Sequence, residues 1–246
     1  MLEVFGLSDI GCVRQNNEDF YSLSPDLHLY VVSDGMGGAQ AGEVAAQLAV
    51  DTVLAHMRQS GSKDASMLVA AFEAAHNCVA AAAARPDRKG MGCTLVAALI
   101  EGASLFLANV GDSRAYVFEN GRCIHVTADQ SWANEVGRKL GISEVELHQH
   151  PYRHVLTVAV GATEVFRVNS YDVPIARATR VLLCTDGLHD VVTASEIEEM
   201  MLADQTAESK CRSLVAAARA AGGPDNITVV ILDFVSKCGE PHEDCH

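Results

Sequence analysis

Positive charge is scarce in this chain: 18 lysines and arginines stand against 32 acidic residues, a formal net charge of −14. Such a surface repels nucleic acid and anionic lipid, so neither is expected as a partner. No uninterrupted apolar run approaches the ~18 residues of a membrane span, and the alanine-rich stretch from Cys78 to Ala84 stops at Arg85-Pro86. The N-terminal segment MLEVFGLSDIGCVRQNNEDF has no basic region ahead of an apolar one, so no secretory signal is expected in it. Paired CxxC spacing is missing as well. The eight cysteines are scattered, mostly within apolar segments, where cysteine acts as a small core residue, and a reducing cytoplasm is the expected setting. Internal repeats and flexible linkers are absent.

What is present is a folded globular composition. Of the 246 residues, 49% are hydrophobic and 20% charged, which excludes general disorder. An acidic excess serves solubility, and it also supplies carboxylates that can hold cations.

Short runs rich in Val, Ile, Leu, Tyr and Phe dominate. They predict strands at Leu29–Ser33, Thr94–Ile100, Ser104–Val110, Arg114–Phe118, Cys123–Thr127, Val165–Val173, Arg180–Thr185 and Ile227–Phe234. Asn120-Gly121 between two of them predicts a tight hairpin, because this pair accepts the positive φ of a type I′ turn. Strands joined this tightly are antiparallel. Helical spacing predicts long helices at about 41–58 and 64–84, the second ending before Pro86. Capping patterns at Ser143/Glu146 and Thr193/Glu196 start two more, and a last helix at about 206–221 stops at Gly222-Gly223-Pro224. The expected architecture is α+β: a central sandwich of two antiparallel sheets flanked by helices, in one domain over residues 1–235. A polar tail, 236–246, follows. Its Cys238, His242, Cys245 and His246 are soft-metal ligand types, but a frayed terminus is the expected reading.

One motif recurs. An apolar run ends in an aspartate beside glycine or serine at Asp34-Gly35, Asp112-Ser113 and Asp186-Gly187, and Asp225-Asn226 leads into the last run. Antiparallel strands can bring all four aspartates to one edge. Gathered carboxylates repel one another and call for a neutralising cation. Oxygen donors with few histidines favour Mg²⁺ or Mn²⁺. A single Asp-Gly after a strand is most often a turn, so spacing by itself leaves turn and cation site both open.

The ordered motifs resemble the metal-dependent type 2C protein phosphatases. Arg14, Asn17, Glu18 and Asp19 match an R-x-x-N-E-D opening, and residues 34–38 match DGMGG. Gly92-Cys93-Thr94 stands for G-T/S-T, residues 110–114 match VGDSR, residues 185–187 match (S/T)DG, and residues 225–230 match DNITVV. The set spans residues 7 to 234 in family order. The resemblance implies a four-layer α-β-β-α fold and a serine/threonine phosphatase with two Mn²⁺ or Mg²⁺ ions and a third, weaker one. Asp34 would bridge two metals, Asp186 and Asp225 would complete one, and the Gly35 carbonyl would serve the other. Glu18 and Asp19 would bind directly or through water. Asp112 with Asp186 would hold the third, and Arg14 would grip the substrate phosphate, its planar fork suiting two oxygens. The implied reaction is in-line attack on phosphorus by a metal-bridging hydroxide.

Two departures stand out. Many relatives carry histidine at the position of Met36, where it is a candidate general acid; methionine cannot donate a proton, and water near Asp112 is one substitute. Gln130 replaces the histidine of a usual D-H-S. The segment with His148, His150 and His154 looks like a metal cluster, but the resemblance of Pro151–Thr157 to an HPxRNVLT stretch makes it a flap beside the site. Arg153 there reads either as a substrate contact or, as the expected case, as a solvated loop residue. Phosphoproteins and a cognate bacterial kinase are the implied partners, and the chain is expected to be a monomer. The rivals are a silent phosphoprotein-binding relative, which would usually have lost metal carboxylates, and a dedicated regulatory phosphatase.

Overall fold

The computed structural model describes residues 2–37, 41–175 and 180–234. Its strands are β1 (Leu2–Asp9), β2 (Asp19–Ser24), β3 (Leu29–Met36), β4 (Gly92–Cys93), β5 (Leu95–Glu101), β6 (Ser104–Val110), β7 (Arg114–Glu119), β8 (Arg122–His125), β9 (Asn169–Pro174), β10 (Arg180–Cys184) and β11 (Ile227–Phe234). The helices are α1 (Ala41–Gln59), α2 (Ala65–Ala83), α3 (Glu144–Gln149), α4 (Asp186–His189), α5 (Ala194–Leu202) and α6 (Ala207–Ala220). One sheet has the order β1-β11-β10-β7-β8 and the other β2-β3-β5-β6-β9, with β4 beside β3. Every pairing is antiparallel.

Burial on both faces explains why the central strands read as continuous apolar runs rather than alternating ones. Along β3, Leu29 and Val31 face α1 and α2, whereas Tyr30 and Val32 face the opposite sheet. Along β11, Ile227, Val229 and Ile231 pack under α5 and α6, and Val230 and Leu232 fill the space between the sheets. Three apolar layers therefore separate four layers of structure, as expected. The edge strand β9 is half-buried on alternate residues and exposed on the others.

Local signals act where the sequence places them. Asp64 caps α2 by accepting from the Met67 amide, and Ser143 and Thr193 close capping boxes with Glu146 and Glu196. Asn120 and Gly121 both have positive φ, 51° and 74°, as a type I′ turn requires. Helix α2 has the length and mean hydropathy, 1.3, of a membrane span by composition alone. Here its apolar face, with Leu68, Phe72 and Val79, packs into the core beside α1.

Several elements differ from expectation. Strands β1 and β2 were not predicted, because Gly6, Ser8, Ser22 and Ser24 interrupt their apolar character; each is defined by pairing with a distant strand, β11 and β3 respectively. The run predicted from Val165 starts as a strand only at Asn169, where β6 becomes available for pairing. The Cys/His tail lies outside the described residues.

Candidate metal centre

The fold brings the predicted carboxylates together through three different routes. Asp34 lies near the end of β3 and is paired in register with Asp19 of β2. Asp112 lies in the turn between β6 and β7. Asp186 opens α4 directly after β10, and Asp225 precedes β11, whose start pairs antiparallel with the end of β10. The result is a cavity of about 620 Å³ lined by Arg14, Glu18, Asp34, Gly35, Asp112, Asp186 and Asp225, together with Met36, Thr94, Arg153, His154, Asp190 and Asn226. Asp19 is not among the lining residues. It lies behind them, buried, with one carboxylate oxygen accepting from Thr185 Oγ1 at 3.0 Å.

Close backbone packing sets these positions. A Cβ on Gly187 would lie 1.9 Å from the Asn226 carbonyl oxygen, and one on Gly35 would lie 2.2 Å from the Gly42 carbonyl oxygen. Glycine after the aspartate is thus required by contact between segments rather than by turn geometry. Asn226 ties the loops: its side chain donates to the carbonyls of Ile10 and Asn16 at 3.0 and 2.9 Å and accepts from the Glu18 amide at 2.8 Å. Thr94 interrupts the β4–β5 run to hold Asp34, exchanging two bonds of 2.8 and 2.9 Å with its backbone and meeting Ser113 at 2.6 Å.

The electrostatics are those of an anionic cluster short of cations. Burial, and then the charges of Asp186, Asp19, Asp112 and Asp225, push the Asp34 carboxyl well above its ordinary range. Asp112 is raised by burial and by Asp186, Asp129 and Asp190. Asp186 is raised mainly by burial, with Asp190 and Asp225 adding, and burial pushes Asp19 up to about 7. Arg14 is the cation held against the cluster, bonding Asp225 Oδ2 at 2.6 Å. One carboxylate oxygen each of Asp19 and Asp186 is buried without a hydrogen-bond partner. Crowded hard oxygen donors with unused acceptor capacity fit a divalent cation of the Mg²⁺ or Mn²⁺ kind.

Sequence reasoning placed the flap beside the site but missed the contribution of α4. His154, read as a flap residue away from metal chemistry, has its ligating nitrogen within 4.8 Å of carboxylate oxygens of Asp186 and Asp190, and those oxygens are equally close to each other. Its Nδ1 is 3.2 Å from Asp190 Oδ2. His189 Nδ1 is 3.2 Å from the other Asp190 oxygen, and its Nε2 meets the Asp112 carbonyl at 3.1 Å. Burial opposes the charge on Asp190, but the nearby His189, His154 and Arg114 hold its carboxyl below the usual range. A signal existed, since Asp190 stands four residues after Asp186 and therefore shares its helical face. Arg153, expected to be solvated, lines this cavity and a second of about 330 Å³ beside it. His150 instead stacks on Trp132 at 4.1 Å. Gln130, in the D-H-S position, anchors the flap base, accepting from the Gly111 amide at 2.9 Å and donating to the Arg167 carbonyl at 3.2 Å.

A two-sheet sandwich with this acidic cavity at one edge is the architecture of a metal-dependent phosphatase class, and the comparisons agree. Residues 13–222 match protein phosphatase 2C, and the chain belongs to that family. It is 40% identical over 232 residues to the serine/threonine protein phosphatase PstP of Mycobacterium tuberculosis, covering 93% of this chain but 44% of that protein. With the serine/threonine phosphatase stp of Listeria monocytogenes it shares 32% identity over 240 residues, 92% of this chain and 93% of the relative. The structure of the PstP catalytic domain in complex with two manganese ions superposes with a TM-score of 0.82 at 34% identity, covering 96% of this chain and 99% of that one.

Proposed function

We propose that this chain is a divalent-metal-dependent phosphatase that removes phosphate from phosphoserine and phosphothreonine in proteins. The observation that carries it is the convergence of Asp34, Asp112, Asp186, Asp225 and Glu18 with Arg14 on one cavity at the sheet edge. Family membership and the named activity of its relatives support the same reading.

Asp34, Asp186, Asp225 and the Gly35 carbonyl would hold a pair of Mn²⁺ or Mg²⁺ ions, and Asp112 with Asp186 a third. Bound there, the pair supplies an activated water and charge neutralisation at the phosphate oxygens. The protein's own groups do the rest. Arg14 exchanges its bond to Asp225 for two oxygens of the substrate phosphate, and so orients phosphorus for in-line attack. Asn226 keeps the loops bearing Arg14, Glu18 and Asp225 at fixed separation. Asp19, accepting from the Thr185 hydroxyl behind Asp34, supports the centre from below. The acidic surface leaves nucleic acid unsuited as a substrate. A reducing, cytoplasmic setting with a partner Ser/Thr kinase, in which the monomer reverses the kinase's signal, fits the scattered cysteines, six of which are described and free.

The test is phosphate release from a phosphothreonine peptide with Mn²⁺ or with EDTA, by the wild type and by Asp34→Asn and Asp186→Asn. Release by wild type with Mn²⁺, and a loss of about 10³-fold or more in either variant or with EDTA, is expected. Equal release under all conditions rules the reading out.

A further inference from the structure

We propose that an apolar patch on one rim of the cavity, formed by Ile10, Val13, Ala221 and Pro224, receives an apolar side chain that flanks the phosphorylated residue of the substrate. This rests on the phosphatase reading above and adds a sequence preference to it. Two segments build the patch. The turn after β1 exposes Ile10 and Val13, the latter at 68%, and the turn after α6 exposes Ala221 and Pro224. They meet where the Cys12 amide donates to the Gly223 carbonyl at 2.8 Å. Gly11 packs so closely there that a Cβ on it would lie 2.1 Å from the Asp225 carbonyl oxygen.

The patch continues the cavity. Pro224 lines it together with Arg14 and Asp225, and Val13 directly precedes Arg14. An extended chain advances about 3.3–3.6 Å per residue. With the phosphate on Arg14, substrate residues within about three positions of the phosphorylated one therefore cross this rim.

Single exposed apolar side chains are ordinary on a protein surface, but these are held in a rigid, uncharged frame. Asn226 binds the carbonyls of Ile10 and Asn16 at 3.0 and 2.9 Å, and the Gly11 amide donates to Asp9 Oδ1 at 2.8 Å. Arg219 pairs with the same Asp9 oxygen, so the charges beside the turn neutralise each other. From Ile10 to Val13 and from Ala220 to Pro224 there is no acidic or basic residue, although charged residues make up 20% of the chain. A charged group brought onto the patch loses hydration and finds no counter-charge, whereas an apolar one gains contact. The fixed backbone and the single χ1 angle of valine keep the ordering cost of that contact small.

Dependence on the flanking residue tests this. With Mn²⁺-loaded full chain, kcat/KM is measured on neutral phosphothreonine peptides that carry leucine in place of serine at one position at a time, on either side of the phosphothreonine. The wild type is expected to favour leucine by about fivefold or more, and on one side only, because the patch borders a single rim. The ratio of the leucine to the serine peptide within each protein cancels any change in metal loading or in Arg14. Val13→Ser is expected to bring that ratio below about twofold, and Ile10→Ser to lower it. Val13→Asp should make lysine preferred over leucine at the same position. A wild type indifferent to the flanking residue overturns the proposal. So does an equal preference on both sides, or a ratio that survives Val13→Ser and Val13→Asp. If the wild type releases phosphate from none of the peptides, the phosphatase reading itself fails and takes the proposal with it.

Discussion

Replacing Gly187 by alanine probes the contact on which the whole centre depends. The added Cβ would lie 1.9 Å from the Asn226 carbonyl oxygen, about 1.5 Å short of ordinary contact, and both partners there are backbone. No side-chain rotation relieves it, so the start of α4 and the turn before β11 must separate. That separation carries Asp186 away from Asp225, and it drags the Asn226 side chain from the loops that present Arg14 and Glu18. Overpacking of this kind costs about 1–3 kcal/mol, or roughly 2–12 °C in Tm for a chain of this size. A displacement of about 1 Å at reacting groups costs on the order of 10²-fold in rate. Gly187→Ala is therefore expected to fold, to melt a few degrees lower and to lose about 10²-fold in kcat/KM on a phosphothreonine peptide, with weaker Mn²⁺ binding by calorimetry. Gly61→Ala is the control: nothing lies within 4 Å of its Cβ, and its stability should change by no more than about 0.5 kcal/mol. A Gly187→Ala protein with wild-type rate and Mn²⁺ affinity would refute the claim that this backbone contact sets the site.

Two further predictions concern buried charge. Lys210 is fully buried, its Nζ 2.8 Å from Asp233 Oδ2, and Arg180 Nε meets the same oxygen at 2.8 Å. Asp233→Ala leaves the Lys210 ammonium with the neutral Gln205 carbonyl, 2.6 Å away, but without its counter-charge, and should cost about 3–5 kcal/mol in urea unfolding, whereas Lys210→Met leaves Asp233 paired with Arg180 and should cost less; the reverse order would be incompatible with this network. The second is pH dependence of the metal-free protein. Asp19, pushed by burial to about 7, and Asp34 and Asp112, raised well above their ordinary range, bind more protons folded than unfolded. Stability with EDTA should therefore fall as pH rises from about 6.5 to 8. Below that window His125, lowered to about 4 by burial, acts in the opposite direction, since it binds fewer protons folded. Saturating Mn²⁺ should reduce or reverse the fall, because the ligands are bound deprotonated. A melting temperature with EDTA that is flat or rising over this range contradicts the clustering.

The chain's local chemistry determined much by itself. Runs such as Leu29–Ser33 and Ile227–Phe234 marked strands because both faces are buried, and Asp64, Thr193 and Asn120-Gly121 set ends and turns by bonds within a few residues. The ordered aspartates marked residues that line the cavity, since a carboxylate at a strand end is visible one residue at a time. Strands β1 and β2 were not legible, because their stability comes from partners more than two hundred residues away in one case and across a hairpin in the other. Nor was the separation of Asp19, which is withdrawn behind Asp34, from Glu18, which faces the cavity. Their order in sequence is fixed, but which side chain faces the cavity depends on the β2–β3 register. The junction of His154 with Asp190 belongs wholly to the tertiary structure, because a flap and a short helix meet there only after both sheets have closed.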